Sequence, residues 1–276
     1  MASTLVERLF RAAKEPPFRL LAKQVLRVWP ASIRLKAEWD AISRPNYLAG
    51  VLAGADQAGR ENISEISVIE FGVAGGQGLV ALQEIANAVA KETKVRISVY
   101  GFDTGQGLPE MTGDQRDHPD RWVAGDYRMD ERALRARLSK DTVLVLGEVK
   151  DTVAHFVRDI QRSPLGFIAI DVDLYSSTRD ALQVLSLPGK RMLLHVPMYF
   201  DDVKRIFNHR FAGELLAIDE FNTTNEKVKI DRWRGITDGR AFPESDWLDR
   251  MYVAHDLEAI SRTSAVRDHL KLELGR

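Results

Sequence analysis

Two apolar runs that end in acidic pairs constrain this chain more than any other feature. The run Gly166–Ile170 breaks off at Asp171 and Asp173 and passes into a serine-rich helix start, within IDVDLYSST at 170–178. Further on, Met192–Phe200 ends in Asp201 and Asp202. Short runs without polar alternation read as strands covered on both faces, as a parallel sheet requires. Strands that deliver carboxylates at their C-terminal ends are how an open α/β sheet builds a site. Four acids brought together repel one another unless a cation or a proton is shared among them. The pattern points to chemistry at a sheet edge, with a divalent cation.

Composition narrows the classes. A net charge of −1 gives no global reason for nucleic-acid binding, and 45% hydrophobic residues in 276 suit a substantial core. The lack of cysteine excludes disulfides and thiolate metal sites and fits a reducing compartment. No apolar run approaches the roughly 18 residues of a membrane span. Charges at Glu7, Arg8, Arg11 and Lys14 interrupt any signal-peptide core. The expectation is a soluble, cytoplasmic protein.

Residues 1–40 read as two short amphipathic helices, one carrying Leu5, Leu9 and Phe10 and the other Leu21, Val25, Val28 and Trp29. Pro16 and Pro17 separate them. Up to Lys36, Arg8, Arg11, Lys14, Arg19, Lys23, Arg27, Arg34 and Lys36 outnumber Glu7 and Glu15. Such a helix can dock peripherally on an anionic membrane; the plainer reading is a lid or a contact between copies in a homo-oligomer. A further helix is expected over 45–58. From residue 64, strand candidates alternate with amphipathic helices: Ile66–Phe71, Val95–Phe102, Thr142–Leu146, Phe167–Asp171 and Met192–Phe200, then Val228–Ile230 and Trp247–Ala254. Alternation implies right-handed crossovers and a mainly parallel sheet, with the last two runs as an added hairpin edge. The division expected is a helical extension over 1–60 and one α/β domain over 61–276.

The first strand leads into VIEFGVAGGQGLVAL at 68–82, with Glu70, Gly72, Gly75, Gly76 and Gly78 before a helix. Glycine lets backbone approach a ligand closely, and the helix start offers free N–H groups; a tight connection alone would also use it. Two nucleotide readings compete. Gly76 to Ala81 satisfies G-x-G-x-x-A, the dinucleotide fingerprint, although the strand ends about four residues too early for it. The other reading is E-x-G-x-x-G-G-x-G, similar to the first motif of class I S-adenosylmethionine-dependent methyltransferases. Asp103, ending the next strand, suits the two ribose hydroxyls of either nucleotide.

Together, EFGVAGGQG (70–78), GFDTGQGLPE (101–110), LVLGEVKDTV (144–153) and IDVDLYSSTRDAL (170–182) resemble the macrocin O-methyltransferase group. These are metal-dependent methyltransferases of sugar and natural-product hydroxyls. The resemblance covers residues 64–205, and FAGELLAIDEFN (211–222) is similar to a further relative of the group. It implies a doubly wound, mainly parallel seven-stranded sheet, S-adenosylmethionine as cofactor, Mg²⁺, and a small-molecule or glycan hydroxyl as acceptor. Carried over by position, it makes Asp171, Asp201 and Asp202 metal ligands and Asp173 the general base. Glu70, Gly72, Gly75, Gly76 and Asp103 would hold the cofactor, with Gly147 and Glu148 at its adenine end. The chain departs from the pattern at LPGKRMLLHVPMYFDDV, where Pro197 implies a strand that ends or bends before Asp201.

Each carboxylate also has a structural reading: Asp171 as a hydrogen-bond acceptor, Asp173 as a helix cap, and Asp201 with Asp202 as an N-terminal pair favoured by the macrodipole. His195 reads as a satisfied core or edge histidine, and His118 as a substrate-side residue without a motif. The loop 105–128 is long enough to cover a site. Its Trp122 and Tyr127 would stack on a ligand or pin the loop. Two other functions stay open: a nicotinamide-dependent oxidoreductase on the same sheet, and a non-catalytic cofactor-binding relative.

Overall fold

The computed structural model describes residues 18–263; the expected helix around Leu5, Leu9 and Phe10 lies outside them. Helices α1 (Phe18–Val28), α2 (Ile33–Glu38) and α3 (Pro45–Arg60) come first. The alternating part runs β1 (Glu65–Phe71), α4 (Gln77–Thr93), β2 (Arg96–Asp103), α5 (Glu131–Arg135), β3 (Thr142–Leu146), α6 (Val149–His155), β4 (Leu165–Ile170), α7 (Tyr175–Leu182) and β5 (His195–Phe200). It closes with α8 (Gly213–Thr224), β6 (Val228–Arg232), β7 (Met251–Asp256) and α9 (Leu257–Ser261).

Among the described residues, seven strands form one sheet in the order β3-β2-β1-β4-β5-β7-β6. Strands β1 to β5 run parallel to one another, and β7 is antiparallel to both β5 and β6. This is the expected doubly wound α/β sheet with a hairpin edge. Central β1 and β4 are buried along almost their whole length, which is why they read as unbroken apolar runs. The chain winds outward from β1 to β3 and then returns to β4, so the crevice beyond β1 and β4 is the topological switch point.

Small residues bring α3 close to that centre. A Cβ on Gly54 would sit 2.0 Å from the Gly166 carbonyl oxygen, and one on Gly50 would sit 2.2 Å from the Phe167 ring. The close approach carries Tyr47 of the first turn beneath the crevice, with its ring edge-on to Phe167 and Tyr199. Helix α1 is the opposite case. It buries no residue and leaves Phe18, Leu21, Val25 and Val28 exposed, as is Trp29 just after it. Its inner contacts are Ala22 and Leu26 against the Trp39–Phe242 cluster, with Arg19 and Lys23 over the Phe242 ring. Among the described residues, no helix is long and apolar enough to cross a membrane.

Two strand expectations are corrected. The run from Trp247 is not extended: Asp246–Arg250 forms a 3₁₀ turn, because the Trp247 indole N–H donates to Asp40 at 3.1 Å and β7 starts only at Met251. Pro197 does not end β5 before Asp201. Antiparallel pairing to β7 runs straight through it, while the parallel ladder to β4 starts at Met198, just after the residue that lacks a donor.

Candidate active site

The site begins where β1 ends. After Phe71 the chain turns at Gly72 with φ +87°, and a Cβ there would lie 1.7 Å from the Asp171 carbonyl oxygen. No side chain fits between the ends of β1 and β4, so the sequence needs glycine. Gly76 caps α4 in the left-handed region, with Leu134 of α5 filling the space a side chain would take. At Gly75 a side chain would meet open space. Gly147 also has positive φ and donates its N–H to the Asp103 carbonyl at 3.0 Å.

Asp103 ends β2 and ties the glycine turn down. Its Oδ2 accepts from Val73 N–H at 2.9 Å and Ala74 N–H at 2.8 Å, and its Oδ1 from Gly105 N–H at 2.6 Å. Of roughly four acceptor positions on a carboxylate, about one is left for a ligand. Behind the turn lies Glu70, 1% exposed, accepting from the Tyr47 hydroxyl at 2.5 Å while its Oε2 has no partner. Burial pushes this carboxyl up to about 8, against the Tyr47 hydrogen bond that favours the charged form.

These elements enclose a cleft of about 300 Å³ at the C-terminal ends of the parallel strands. Of the residues expected from sequence, Gly72, Asp103, Glu148, Asp171, Asp173 and Asp201 line it, joined by Tyr127 and Arg205. Burial pushes Asp171 up to about 7, helped by the charges of Asp201 and Asp173. Burial also lifts Asp173 to about 6, with Arg205 opposing. Asp173 has φ +60° and does not cap the helix that follows. That end is served from the loop instead: Asp117 accepts from Ser176 N–H at 2.7 Å and from its hydroxyl at 3.1 Å. The loop 105–128 reaches the cleft with Gly107, Leu108 and Tyr127.

The expected metal set is not assembled, and the reason is two arginines. Asp202 is 6% exposed, does not line the cleft, and accepts at Oδ1 from Arg205 Nε–H, while its own backbone N–H donates to Glu214 at 2.7 Å. Asp201 accepts from the Tyr199 hydroxyl, from Arg250 at 3.0 Å and from Arg205 at 3.2 Å. Asp171 and Asp201 share the cleft, but among the described residues no three histidine or acidic groups converge as ligands. The donor set as built does not fit a divalent ion.

Sequence reasoning missed Arg205, Arg250 and Glu214. The spacing of Arg205, three and four residues after the acidic pair, was the one available signal. Glu214 is 1% exposed and held well above the ordinary carboxyl range by burial, then by the nearby acids. Trp122 lies under the Arg205 guanidinium at 5.2 Å. His195 pairs with His255 at 2.8 Å in a separate cleft beside α3, and His118 is buried against His209.

No family model matches the chain, and no curated protein matches it. Among solved structures it is similar to that of CalS11, calicheamicin methyltransferase, at 17% identity over 87% of this chain and 93% of that one, with a TM-score of 0.52. The O-methyltransferase NovP gives 20% identity over 87% and 97%, with a TM-score of 0.49. The plantazolicin methyltransferase BpumL gives 9% over 92% and 100%, with a TM-score of 0.39. At such identity the CalS11 likeness speaks for the fold alone: the chain shares its α/β architecture over 87% of its length.

Proposed function

We propose that this chain is an S-adenosylmethionine-dependent O-methyltransferase acting on a hydroxyl of a sugar, glycan or natural product. The observation that carries this is the pairing, across one cleft, of a glycine turn backed by Glu70 and Asp103 with Asp173 on the opposite strand end. The sequence motifs and the fold shared with a methyltransferase support the same reading. The remaining acceptor position on Asp103 suits a ribose hydroxyl.

When bound, S-adenosylmethionine supplies an electrophilic methyl group for in-line transfer. The chain's own task is to hold an acceptor hydroxyl near that methyl and remove its proton. Asp173 lies at the cleft wall with a carboxyl at about 6, ionised at neutral pH yet basic enough to take a proton as the new O–C bond forms. Tyr127 and the loop around Gly107 and Leu108 line the cleft and would limit water once a ligand fills it.

The dinucleotide reading is disfavoured by the same geometry. The Val73 and Ala74 N–H groups are already taken by Asp103, and Leu134 packs over the start of α4. A pyrophosphate in the cleft would also lie beside Asp103 and Asp171. The test is calorimetric titration with S-adenosylhomocysteine, with NADH as control. Binding of the homocysteine cofactor alone is expected; binding of NADH instead overturns the proposal.

A further inference from the structure

We infer that Arg205, seconded by Arg250, is a built-in counter-cation for the acidic cluster, so that methyl transfer here needs no divalent metal. The inference rests on the methyltransferase reading above. Its starting point is the crowding of Asp171, Asp173, Asp201 and Asp202 at the ends of β4 and β5. Such a set requires positive charge beside it.

The structure supplies that charge from the chain itself. Arg205 follows the Asp pair by three and four residues, so one turn of backbone returns its guanidinium to both. Nε donates to Asp202 and one terminal nitrogen to Asp201 at 3.2 Å. The Trp122 ring, 5.2 Å away on the loop 105–128, supports the guanidinium from another side. Arg250, delivered by the turn before β7, reaches Asp201 at 3.0 Å and is itself held by Asp246 at 2.9 Å. With the Tyr199 hydroxyl included, three donors occupy Asp201, leaving about one of its four acceptor positions. The Asp202 carboxylate is shut from solvent and its backbone N–H is fixed by Glu214.

Mg²⁺ requires near-octahedral oxygen ligands at about 2.1 Å. To recruit Asp201 and Asp202 it would have to displace two guanidinium partners and rebuild the turn after β5. A guanidinium in that place performs the electrostatic part of a metal's work. Of its five N–H donors, two are used on the acids, and Arg205 lines the cleft. The others can donate to the acceptor oxygen as its proton passes to Asp173. Arg205 thus positions the acceptor and stabilises its developing negative charge.

The test uses Mn²⁺ as a spectroscopic probe, reading free ion by electron paramagnetic resonance with S-adenosylhomocysteine present. Wild type is expected to leave Mn²⁺ free into the millimolar range. Arg205→Gln, which releases the carboxylates, is expected to bind it at least about tenfold more tightly, and Arg205→Lys to return towards wild type. Stoichiometric micromolar binding by wild type overturns the inference, as does a folded Arg205→Gln protein that gains no affinity. If Arg205→Gln does not fold, the wild-type titration decides alone. Calorimetry of S-adenosylhomocysteine on the same wild-type sample separates the two claims: failure there removes the proposed function, whereas failure in the Mn²⁺ arm removes only the metal-free mechanism.

Discussion

Glu70→Gln should make the free protein more stable, by an amount that grows with pH. Glu70 is 1% exposed, and its one side-chain partner is the Tyr47 hydroxyl, at 2.5 Å. Burial moves its carboxyl from an ordinary 4.5 up to about 8. A raised carboxyl pKa means that the folded chain keeps a proton the unfolded chain gives up. The stability this proton represents is fully present below about pH 4.5 and is lost as pH rises through about 8. At about 1.4 kcal/mol per tenfold difference in proton affinity, the loss is on the order of 5 kcal/mol. That is large against a typical total of roughly 5–15 kcal/mol. Glutamine keeps the shape, accepts from Tyr47 through its own Oε1, and cannot ionise. Urea unfolding midpoints of variant and wild type should diverge from about pH 5 to pH 8, by up to about 2 M urea, and stay parallel above. A gap that is flat or narrows with pH would refute the reasoning.

Asp173→Asn should lower kcat by roughly 10²- to 10⁴-fold while leaving S-adenosylhomocysteine affinity intact; unchanged turnover removes the base assignment. In wild type, kcat should rise with pH through the region of about 6 to about 7 where Asp173 and Asp171 titrate, and then level, the limb belonging to the cluster as a whole. Gly72→Ala places a methyl 1.7 Å from the Asp171 carbonyl at φ +87°; a loss of about 3 kcal/mol or more is expected by thermal unfolding, together with loss of cofactor binding. Asp117→Ala removes the cap of α7, at about 1 kcal/mol, and should speed limited proteolysis within 105–128; unaltered cleavage there would count against the loop being fastened at that point.

What the sequence made legible follows from local pattern. Asp171 and Asp201 stood out because each ends a run buried on both faces, and Gly72 because a strand-to-helix turn this tight leaves no room for a side chain. The hidden part depends on convergence in space. Nothing near Tyr47 in the chain announces Glu70, and Asp103 could not be known to bond the glycine loop before the turn was built. Arg250 lies far from Asp201 in sequence, and Asp202, alike with Asp201 on paper, is buried on the wrong side of it. Trp247 misled because it stands shortly before the true strand Met251–Asp256 and reads as part of it, whereas its indole is held by Asp40. Trp122 was read as a ligand platform or a loop pin, and it supports a guanidinium.

The position of β7 between β5 and β6 also sets a timetable for assembly. The ribosome releases β5 first, then β6, and β7 last of the three, yet β6 touches the sheet only through β7. Until Met251–Asp256 has emerged, β5 is a bare edge and β6 has no partner strand. The Asp201 end of that edge then also lacks Arg250, which arrives with the same segment. The last of these three strands to be synthesised therefore seals the growing edge and completes the charge balance of the cleft in one step. A nascent chain stalled shortly before it would present an unprotected strand and an under-neutralised acidic cluster, a natural client for chaperones.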